Sequence, residues 1–264
     1  LNVNITPVIV PTTFQILQGC QIEYGTLKLN GQFQTINLIS APNGFTQTLP
    51  LNLSANIILN GSSFTLDNLI SGTYIFQIID SCGNSTNSTV SIAGYQETTT
   101  INVLPNCGSF DLQLNHTSNN AFANNFYLQK YNTITGGWMH PSNGTNYVTG
   151  TIPNAGDSYP LVNNTTNFNL AFSGSFRILK VLGIYQAGQS SATICSRVIR
   201  EFDFIGVPKI NAVYSIACNG NFEVIVDAVS FSPLIYRITT KDGQPFLVQN
   251  GSSNVFTNLA AGTY

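Results

Sequence analysis

Apolar and polar residues alternate with a period of two along much of the 264-residue chain. In "GTYIFQIID", Tyr74, Phe76 and Ile78 share one parity, and "NFEVIVDAV" repeats the alternation with Phe222 and Val224. A period of two places every second side chain on one face of a β-strand, whereas a helix needs apolar residues at i, i+3 and i+4. No stretch sustains the helical spacing, so the pattern predicts β-strands.

Turn signals separate these short strands. Asn-Gly and Asp-Gly dipeptides favour the positive φ angles of tight hairpins. Seven of them lie between alternating runs: Asn30-Gly31, Asn43-Gly44, Asn60-Gly61, Asn143-Gly144, Asn219-Gly220, Asp242-Gly243 and Asn250-Gly251. Short alternating strands with such turns are typical of antiparallel β-sandwiches. The predicted fold class is all-β, with tandem immunoglobulin-like β-sandwich domains arranged end to end.

One segment of the chain occurs twice. "NGSSFTLDNLISGTY" at 60–74 and "NGSSNVFTNLAAGTY" at 250–264 are identical at nine of fifteen positions, and "SGSFRIL" at 173–179 is a weaker third copy. Repeats at such spacing indicate several modules rather than one large domain. We predict a first module over 1–94, a second over 95–206, and a third over 207–264 that is truncated before its last strand.

Five cysteines fit the same three-module plan. Cys82 has the parity of the apolar residues before it, and we predict that it pairs with Cys20 in an early strand. By analogy, Cys107 pairs with Cys195, and Cys218 is left unpaired by the truncation. Cys195 lies further from its repeat motif than Cys82 does, which predicts an insertion within "VLGIYQAGQSSAT" at 181–193. The alternative is that all five cysteines are buried thiols.

The repeated "NLISGTY" and "NLAAGTY" have the character of a tyrosine corner, in which a Tyr hydroxyl bonds to backbone a few residues upstream. Tyr74 and Tyr264 hold the corner position in the first and third modules. Phe176 takes the place in the second module, so the hydroxyl is dispensable there. The alternative is a Tyr that only fills core volume.

Charge is scarce, since charged residues make up 8% of the chain against roughly 25% in typical soluble domains. The net charge is −2 and the nine Lys and Arg residues are scattered, which argues against nucleic-acid or anionic-lipid partners. No apolar run approaches the roughly 20 residues that span a bilayer, so no direct membrane insertion is expected. An Asn- and Thr-rich chain with cysteines favours an extracellular or cell-surface location.

Catalytic and metal-binding patterns are missing from the sequence. The eleven acidic residues are dispersed, and the closest pair, Glu201 and Asp203, is interpreted as solvated strand residues. The two histidines, His116 and His140, form no H-x-x-x-H pattern, and no calcium loop or G-x-S-x-G elbow occurs. We therefore expect no enzymatic activity, no metal and no cofactor.

Aromatic and polar residues concentrate in "FYLQKYNTITGGWMHP" of the second module. Tyr127 and Tyr131 share one side of a predicted strand, and Trp138 returns beside Tyr131 across a hairpin. These rings could form a flat platform that binds sugars or another protein. The alternative places Trp138, the only Trp, in the core of the sandwich.

The segment "NLISGTYIFQIIDSCGN" resembles a signature of tandem sandwich modules, L-x-x-G-T-Y-x-F-x-[IV]-x-D-x-C-G-N, found in very large cell-surface proteins of Bacteroidota. These proteins are gliding-motility adhesins and related type IX secretion substrates. "FYLQKYNTITGGWMHP" and "ITTKDGQPFLVQNGSSNVFTNLAAGTY" also resemble their segments, so the similarity touches all three modules. The resemblance implies export across the outer membrane and surface display as an adhesin or filament.

Two functions follow as hypotheses. In the first, the chain is an internal fragment of a surface repeat protein and serves as a structural or adhesive stalk. In the second, the second module is a carbohydrate-binding module. The expected partners are neighbouring modules of the same chain, surface polysaccharide, other cell-surface proteins and the secretion machinery.

Overall fold

Extended backbone dominates the computed structural model, which describes residues 11–106, 108–120, 122, 124–218, 220–230 and 233–264. The described residues form β-strands and one short 3₁₀ helix, Ser54–Asn56, and contain no α-helix. The strands pair into several antiparallel sheets. The predicted fold class, tandem immunoglobulin-like β-sandwiches, is confirmed.

The first sandwich contains two four-stranded sheets, with the orders β1-β2-β6-β5 and β4-β3-β7-β8. Its strands are β1 (Thr13–Gln18), β2 (Tyr24–Asn30), β3 (Thr35–Ser40), β4 (Leu51–Asn52), β5 (Ile57–Ile58), β6 (Ser63–Ile70), β7 (Gly72–Ile79) and β8 (Ser85–Ile92). These are the A-B-E-D and C′-C-F-G orders of immunoglobulin-like sandwiches. The alternation predicted for β7 places Tyr74, Phe76 and Ile78 in the core, where each is buried.

The second sandwich contains a three-stranded sheet, β14-β10-β9, and a larger sheet, β12-β11-β15-β16, in which β13 also pairs with β11. Its strands are β9 (Glu97–Pro105), β10 (Phe110–Ser118), β11 (Asn125–Asn132), β12 (Gly137–Met139), β13 (Tyr159–Leu161), β14 (Thr165–Leu170), β15 (Gly174–Ile184) and β16 (Thr193–Phe204). Phe110, Phe176 and Phe204 form the centre of its core. The order repeats that of the first sandwich, with β15 and β16 in the places of β7 and β8.

The third unit contains a three-stranded sheet, β17-β18-β21, and a two-stranded sheet, β19-β20. Its strands are β17 (Lys209–Cys218), β18 (Asn221–Val229), β19 (Arg237–Lys241), β20 (Gln244–Gln249) and β21 (Val255–Leu259). Asp242 and Gly243 both have positive φ and close the β19–β20 hairpin, as predicted. No sheet of the described chain contains strands from both sides of 94 or 206. The module boundaries themselves stay a prediction.

Disulfide pairing differs from the prediction. Cys20, which follows β1, is bonded to Cys195 on β16, with the two Cα atoms 6.2 Å apart. The bond joins the first sandwich to the second, across 175 positions of sequence. The predicted pairs of Cys20 with Cys82 and of Cys107 with Cys195 are therefore wrong. Cys107 and the side chain of Cys218 lie outside the described residues.

The length of β7 explains why Cys20 and Cys82 do not meet. Cys20 lies near the start of this strand, where Ser71 N donates to Glu23 O, whereas Cys82 follows its end and is exposed and free. An eight-residue strand spans about 26 Å, and a disulfide allows about 4.4–6.8 Å between Cα atoms. The parity of Cys82 did not place it in the core because β7 ends at Ile79. Cys82 lies after the strand, in a turn closed by Asp80.

The predicted insertion within 181–193 is an extension of the β15–β16 hairpin. The register pairs Leu182 with Cys195 and Ile184 with Thr193, beyond the end of the second core. We call residues 181–196 the arm. The arm lies on the outer face of the β1-β2-β6-β5 sheet and carries Cys195 to Cys20.

Tyr74 and Tyr264 have the geometry expected of tyrosine corners. The Tyr74 hydroxyl donates to the Ile70 carbonyl at 2.9 Å, and the Tyr264 hydroxyl donates to the Ala260 carbonyl at 2.6 Å. Each bond spans four residues of chain. Burial raises the pKa of Tyr74 to about 12, with a smaller contribution from Tyr24.

Candidate functional site

The three aromatic residues singled out in the sequence lie on the outer face of the β12-β11-β15-β16 sheet. Tyr131 pairs directly with Trp138 in the register of β11 and β12. Phe126 and Leu128, of opposite parity on β11, are buried in the core. Trp138 is therefore outside the core of the second sandwich, and it is only half-buried.

The two rings do not form a flat platform. The Tyr131 and Trp138 ring centroids are 5.3 Å apart, but the ring planes are inclined by 68°. The Arg177 guanidinium lies 4.3 Å from the Trp138 ring centroid and 5.3 Å from that of Tyr147. One face of the indole is thus covered by a cation, which is a favourable contact in a partly desolvated site. Burial lowers the pKa of Arg177.

A chain of hydrogen bonds fixes Arg177 in this position. Arg177 Nε donates to Gln129 Oε1 at 2.8 Å, and Gln129 Nε2 donates to Ser158 Oγ at 2.7 Å. Ser158 Oγ then donates to Asp157 Oδ1 at 2.7 Å. Gln129 and Ser158 are fully buried, so the support beneath the aromatic pair is ordered rather than solvated.

A groove of about 390 Å³ lies beside the aromatic pair. Its lining consists of Tyr131, Trp138, Ser175, Phe176, Glu201, Phe202 and Asp203. Ser175 pairs with Asp203, and the register of β11 with β15 brings Tyr131 beside Ser175. The small Ser175 therefore leaves a depression between ring edges and two exposed carboxylates, those of Glu201 and Asp203. Tyr127 does not line the groove, because it lies further along β11, opposite Pro160 and Leu179.

A fully buried lysine lies at the opposite end of the second sandwich, near the first. Lys180 Nζ bonds Tyr95 Oη at 2.7 Å, His116 Nε2 at 2.8 Å and Ser118 Oγ at 2.7 Å. Three N–H donors thus meet three acceptors, which satisfies an ammonium group. His116 Nδ1 then faces Thr99 Oγ1 at 2.7 Å. Tyr95 comes from the segment that connects the two sandwiches.

Charges around this lysine explain its pKa and that of the histidine. Burial lowers the pKa of Lys180 to about 8, opposed by Glu97. Burial, and then the charge of Lys180, lower the pKa of His116 to about 4. Glu97 also accepts from the Tyr95 hydroxyl and pairs with Arg197 at 3.2 Å. At neutral pH the cluster therefore holds a charged lysine and a neutral histidine.

The alternation of β15 carries a signal for this cluster. Lys180 has the parity of Phe176 and Ile178 on β15, so its side chain belongs to the core face of the strand. A lysine on a core face requires buried acceptors. His116, two residues beyond the buried Leu114 on β10, supplies one of them.

The arm connects the two sandwiches through side chains on the outer face of the first. Tyr185 N donates to Thr26 Oγ1 at 3.0 Å. Thr65 Oγ1 accepts from Gln189 N and donates to Gln189 O, both at 3.2 Å. Lys28 Nζ donates to Ser190 O at 2.9 Å. Thr26 and Thr65 are fully buried although they point away from the first core, because the arm covers them.

Residues of both sandwiches line an open cleft of about 620 Å³ at the junction. Its lining includes Ile22 and Glu23 from the first sandwich and Glu97, Thr117 and Ser118 from the second. Within the described ranges, no group of three or more His, Cys, Asp or Glu residues is placed to hold a metal ion. Nor does any helix in that part of the chain have the length and apolar character needed to cross a membrane.

Comparison with known proteins gives only a weak structural similarity. No protein-family model and no curated protein matches the chain. Among solved structures, the chain is similar to native alpha-2-macroglobulin from Escherichia coli, in a crystal structure that spans domains MG0-NIE-MG1. The two are 11% identical, the alignment covers 95% of this chain and 90% of that chain, and the TM-score is 0.24. At that TM-score the similarity carries no argument about fold or activity.

Proposed function

We propose that this chain is a non-catalytic stalk segment of a large secreted or cell-surface repeat protein, and that it serves in surface attachment or gliding. The observation that carries the proposal is the covalent and hydrogen-bonded joint between the first two sandwiches. Independent domains are usually connected by exposed linkers with few contacts across them. Here the disulfide and the arm link one sandwich to the next, and the buried Lys180 bonds Tyr95 of the segment that connects them.

The surface chemistry supports contacts that are weak and numerous. Exposed uncharged side chains cover the outer face of β9 and β10, namely Thr98, Thr100, Asn102, Asn115 and Thr117. Such a face offers hydroxyl and amide groups without charge, and repeated modules multiply the weak contacts. The proposed partners are neighbouring modules, surface polysaccharide and other cell-surface proteins. The disulfide favours an oxidising location outside the cell.

Backbone ¹⁵N relaxation of the full chain tests the stalk proposal. A rigid joint predicts one rotational correlation time for the first two sandwiches. A variant that combines Thr26→Val, Thr65→Val and Cys195→Ser removes the disulfide and the two threonine contacts of the arm, and we expect the two sandwiches to tumble separately in it.

Matched controls for this variant are Thr73→Val and Cys82→Ser, since both residues are exposed in the first sandwich. These controls should leave the common correlation time unchanged. Separate tumbling of the two sandwiches in the oxidised wild type would contradict the stalk proposal.

A second candidate function is glycan binding in the groove beside Tyr131 and Trp138. The observation that favours it is the ordered support of the aromatic pair by Arg177 and the buried Gln129. Ring edges, a serine hydroxyl and two carboxylates can contact sugar carbons and hydroxyls together. The geometry favours contact with the ring edges and not stacking on the indole, since Arg177 covers one indole face.

Binding of the full chain to a panel of glycans and polysaccharides tests this second candidate. Tyr131→Ala and Ser175→Leu should both abolish saturable binding, the second by filling the depression. Tyr214→Ala, at an exposed Tyr of the third unit, is the control. Binding that survives in both groove variants, or no binding to any glycan, would remove this candidate and leave the stalk proposal untouched.

A further inference from the structure

The position of the disulfide determines which strands carry tension when the chain is pulled from its ends. Tension that enters from the N-terminal side passes along β1 to Cys20, crosses to Cys195, and leaves along β16 toward the third unit. All strands from β2 to β15 lie between Cys20 and Cys195 in sequence. They belong to a closed loop that the covalent bond bypasses.

The segments that remain on this path are already extended. β1 has six residues, Thr13–Gln18, and all six pair with β2. The part of β16 after Cys195 continues as regular strand to Phe204. An extended strand of n residues is close to its maximum length of about 3.3–3.6 Å per residue. Tension along this path therefore produces little lengthening of the chain.

We infer that the Cys20–Cys195 disulfide is a mechanical shunt that shields the first two sandwiches from unfolding under tension. Within the part of the chain that the structure describes, the third unit, downstream of β16, is the one that can lengthen while the bond is intact. The inference rests on the proposed stalk function for its purpose, but its mechanics depend only on the disulfide connectivity. The arm contributes hydrogen bonds in parallel, through Thr26 and Thr65.

The shunt is sensitive to redox conditions. Cys20 and Cys195 are each only partly buried, so a soluble thiol can reach them in the folded chain. A dithiol reductant supplies two electrons and two protons, the S–S bond breaks to give two thiols, and the reductant becomes a cyclic disulfide. After reduction the same tension passes through both sandwiches and can unfold them one after the other.

Single-molecule force spectroscopy on the full chain, held at its two ends, tests the shunt. Reduction should increase the total contour length released by about 60 nm, because 175 positions at roughly 3.5 Å each become available. Cys195→Ser should release the longer length without reductant. Cys82→Ser removes the exposed free cysteine, keeps the disulfide, and should behave as oxidised wild type.

Two results would overturn the inference. Equal contour lengths for oxidised wild type and Cys195→Ser would mean that the disulfide does not carry the load. A shortfall of about 20 nm that disappears in Cys82→Ser would mean that Cys20 pairs with Cys82, across about 62 residues. Neither result would alter the relaxation test of the stalk, which measures tumbling in the absence of force.

Discussion

At the scale of single residues, Lys180 is a charged side chain of the second sandwich that is held entirely inside the protein. It is fully buried, and its ammonium donates to three acceptors from two segments of chain, namely Tyr95 in the connecting segment and His116 and Ser118 on β10. Burying a charge is costly unless it is both paired and hydrogen-bonded. The cluster meets that condition because His116 stays neutral and accepts a hydrogen bond, and because the negative charge of Glu97 favours the protonated form of Lys180.

The lowered pKa of His116 predicts that the second sandwich loses stability in mild acid. Between pH 6.5 and about 4, His116 binds a proton in the unfolded chain but not in the folded one. Stability therefore falls as the pH falls through that window, by about 3 kcal/mol at most. Urea unfolding followed by the fluorescence of Trp138, the only Trp, reports on this sandwich at each pH.

The control for this pH dependence is His116→Gln, which does not titrate. His140 is shifted in the same direction by burial and is retained in both proteins, so the difference between them isolates His116. We expect a shallower loss of stability in the variant between pH 6.5 and 4. Parallel curves for the two proteins would show that His116 binds its proton equally well in the folded state.

At the scale of elements, the arm acts as a connector because the first sandwich presents hydroxyl groups where it lies. Thr26 and Thr65 alternate with core residues on β2 and β6 and point outward, a position that normally faces water. Beneath the arm, these hydroxyls replace water as partners for the backbone of Tyr185 and Gln189. The arm needs such partners since its tip, residues 185–192, has no strand neighbour.

Thr65→Val tests this role with a side chain of nearly the same shape. Loss of the hydroxyl removes the two hydrogen bonds to Gln189 and leaves its N–H with the Gln186 carbonyl, at 3.1 Å, as acceptor. A hydrogen bond contributes about 0.5–1.5 kcal/mol net, so amide hydrogen exchange at Gln189 should accelerate by about two- to tenfold. Thr73→Val, at an exposed position on β7, should leave Gln189 unchanged. Equal protection of Gln189 in wild type and Thr65→Val would show that the arm is held by other contacts.

Local pattern predicted most elements of the first two sandwiches, because strand alternation and turns are encoded by neighbours in sequence. The parity of Tyr74, Phe76 and Ile78 identified a core strand, and the Asp242-Gly243 turn identified a hairpin. The arm could not be predicted in the same way. Its sequence, "VLGIYQAGQSSAT", resembles an insertion, and its partners on β2 and β6 are more than 100 residues away.

At the scale of the whole molecule, the disulfide closes a loop that includes nearly all of two sandwiches. In the chain-entropy model, closing a loop of 175 residues stabilises the folded state by about 5 kcal/mol, of which real proteins often realise less. We expect reduction to lower the thermal unfolding temperature of both sandwiches together. Calorimetry with and without reductant measures this shift.

Cysteine variants identify the loop responsible for that shift. Cys20→Ser and Cys195→Ser should each reproduce the effect of the reductant, whereas Cys82→Ser should have none. A bond between Cys20 and Cys82 would instead stabilise the first sandwich alone. An unfolding temperature unchanged in Cys195→Ser but lowered in Cys82→Ser would therefore contradict the observed connectivity.

The candidate groove was predictable in part. Tyr131 and Trp138 were identified because a two-strand hairpin brings them together locally. Arg177, Ser175 and Asp203 come from β15 and β16, and they join the groove only through long-range strand pairing. A sequence pattern of period two gives the face of each strand, but it does not give the neighbour of each strand. The predicted flat platform is wrong because the two ring planes are inclined by 68°, and the contact of Arg177 with the indole was not predictable because it comes from a neighbouring strand.

The connectivity of the disulfide also requires folding and cysteine oxidation to occur in a particular order. In an unfolded chain, Cys20 meets Cys82 more readily than Cys195, since the shorter loop is favoured by about 1 kcal/mol of closure entropy. Folding of the first sandwich reverses this preference, because β7 then holds Cys82 at the far end from Cys20. The first sandwich must therefore fold before Cys20 is oxidised. An oxidant that acts earlier would trap an isomer in which the two sandwiches are not covalently joined.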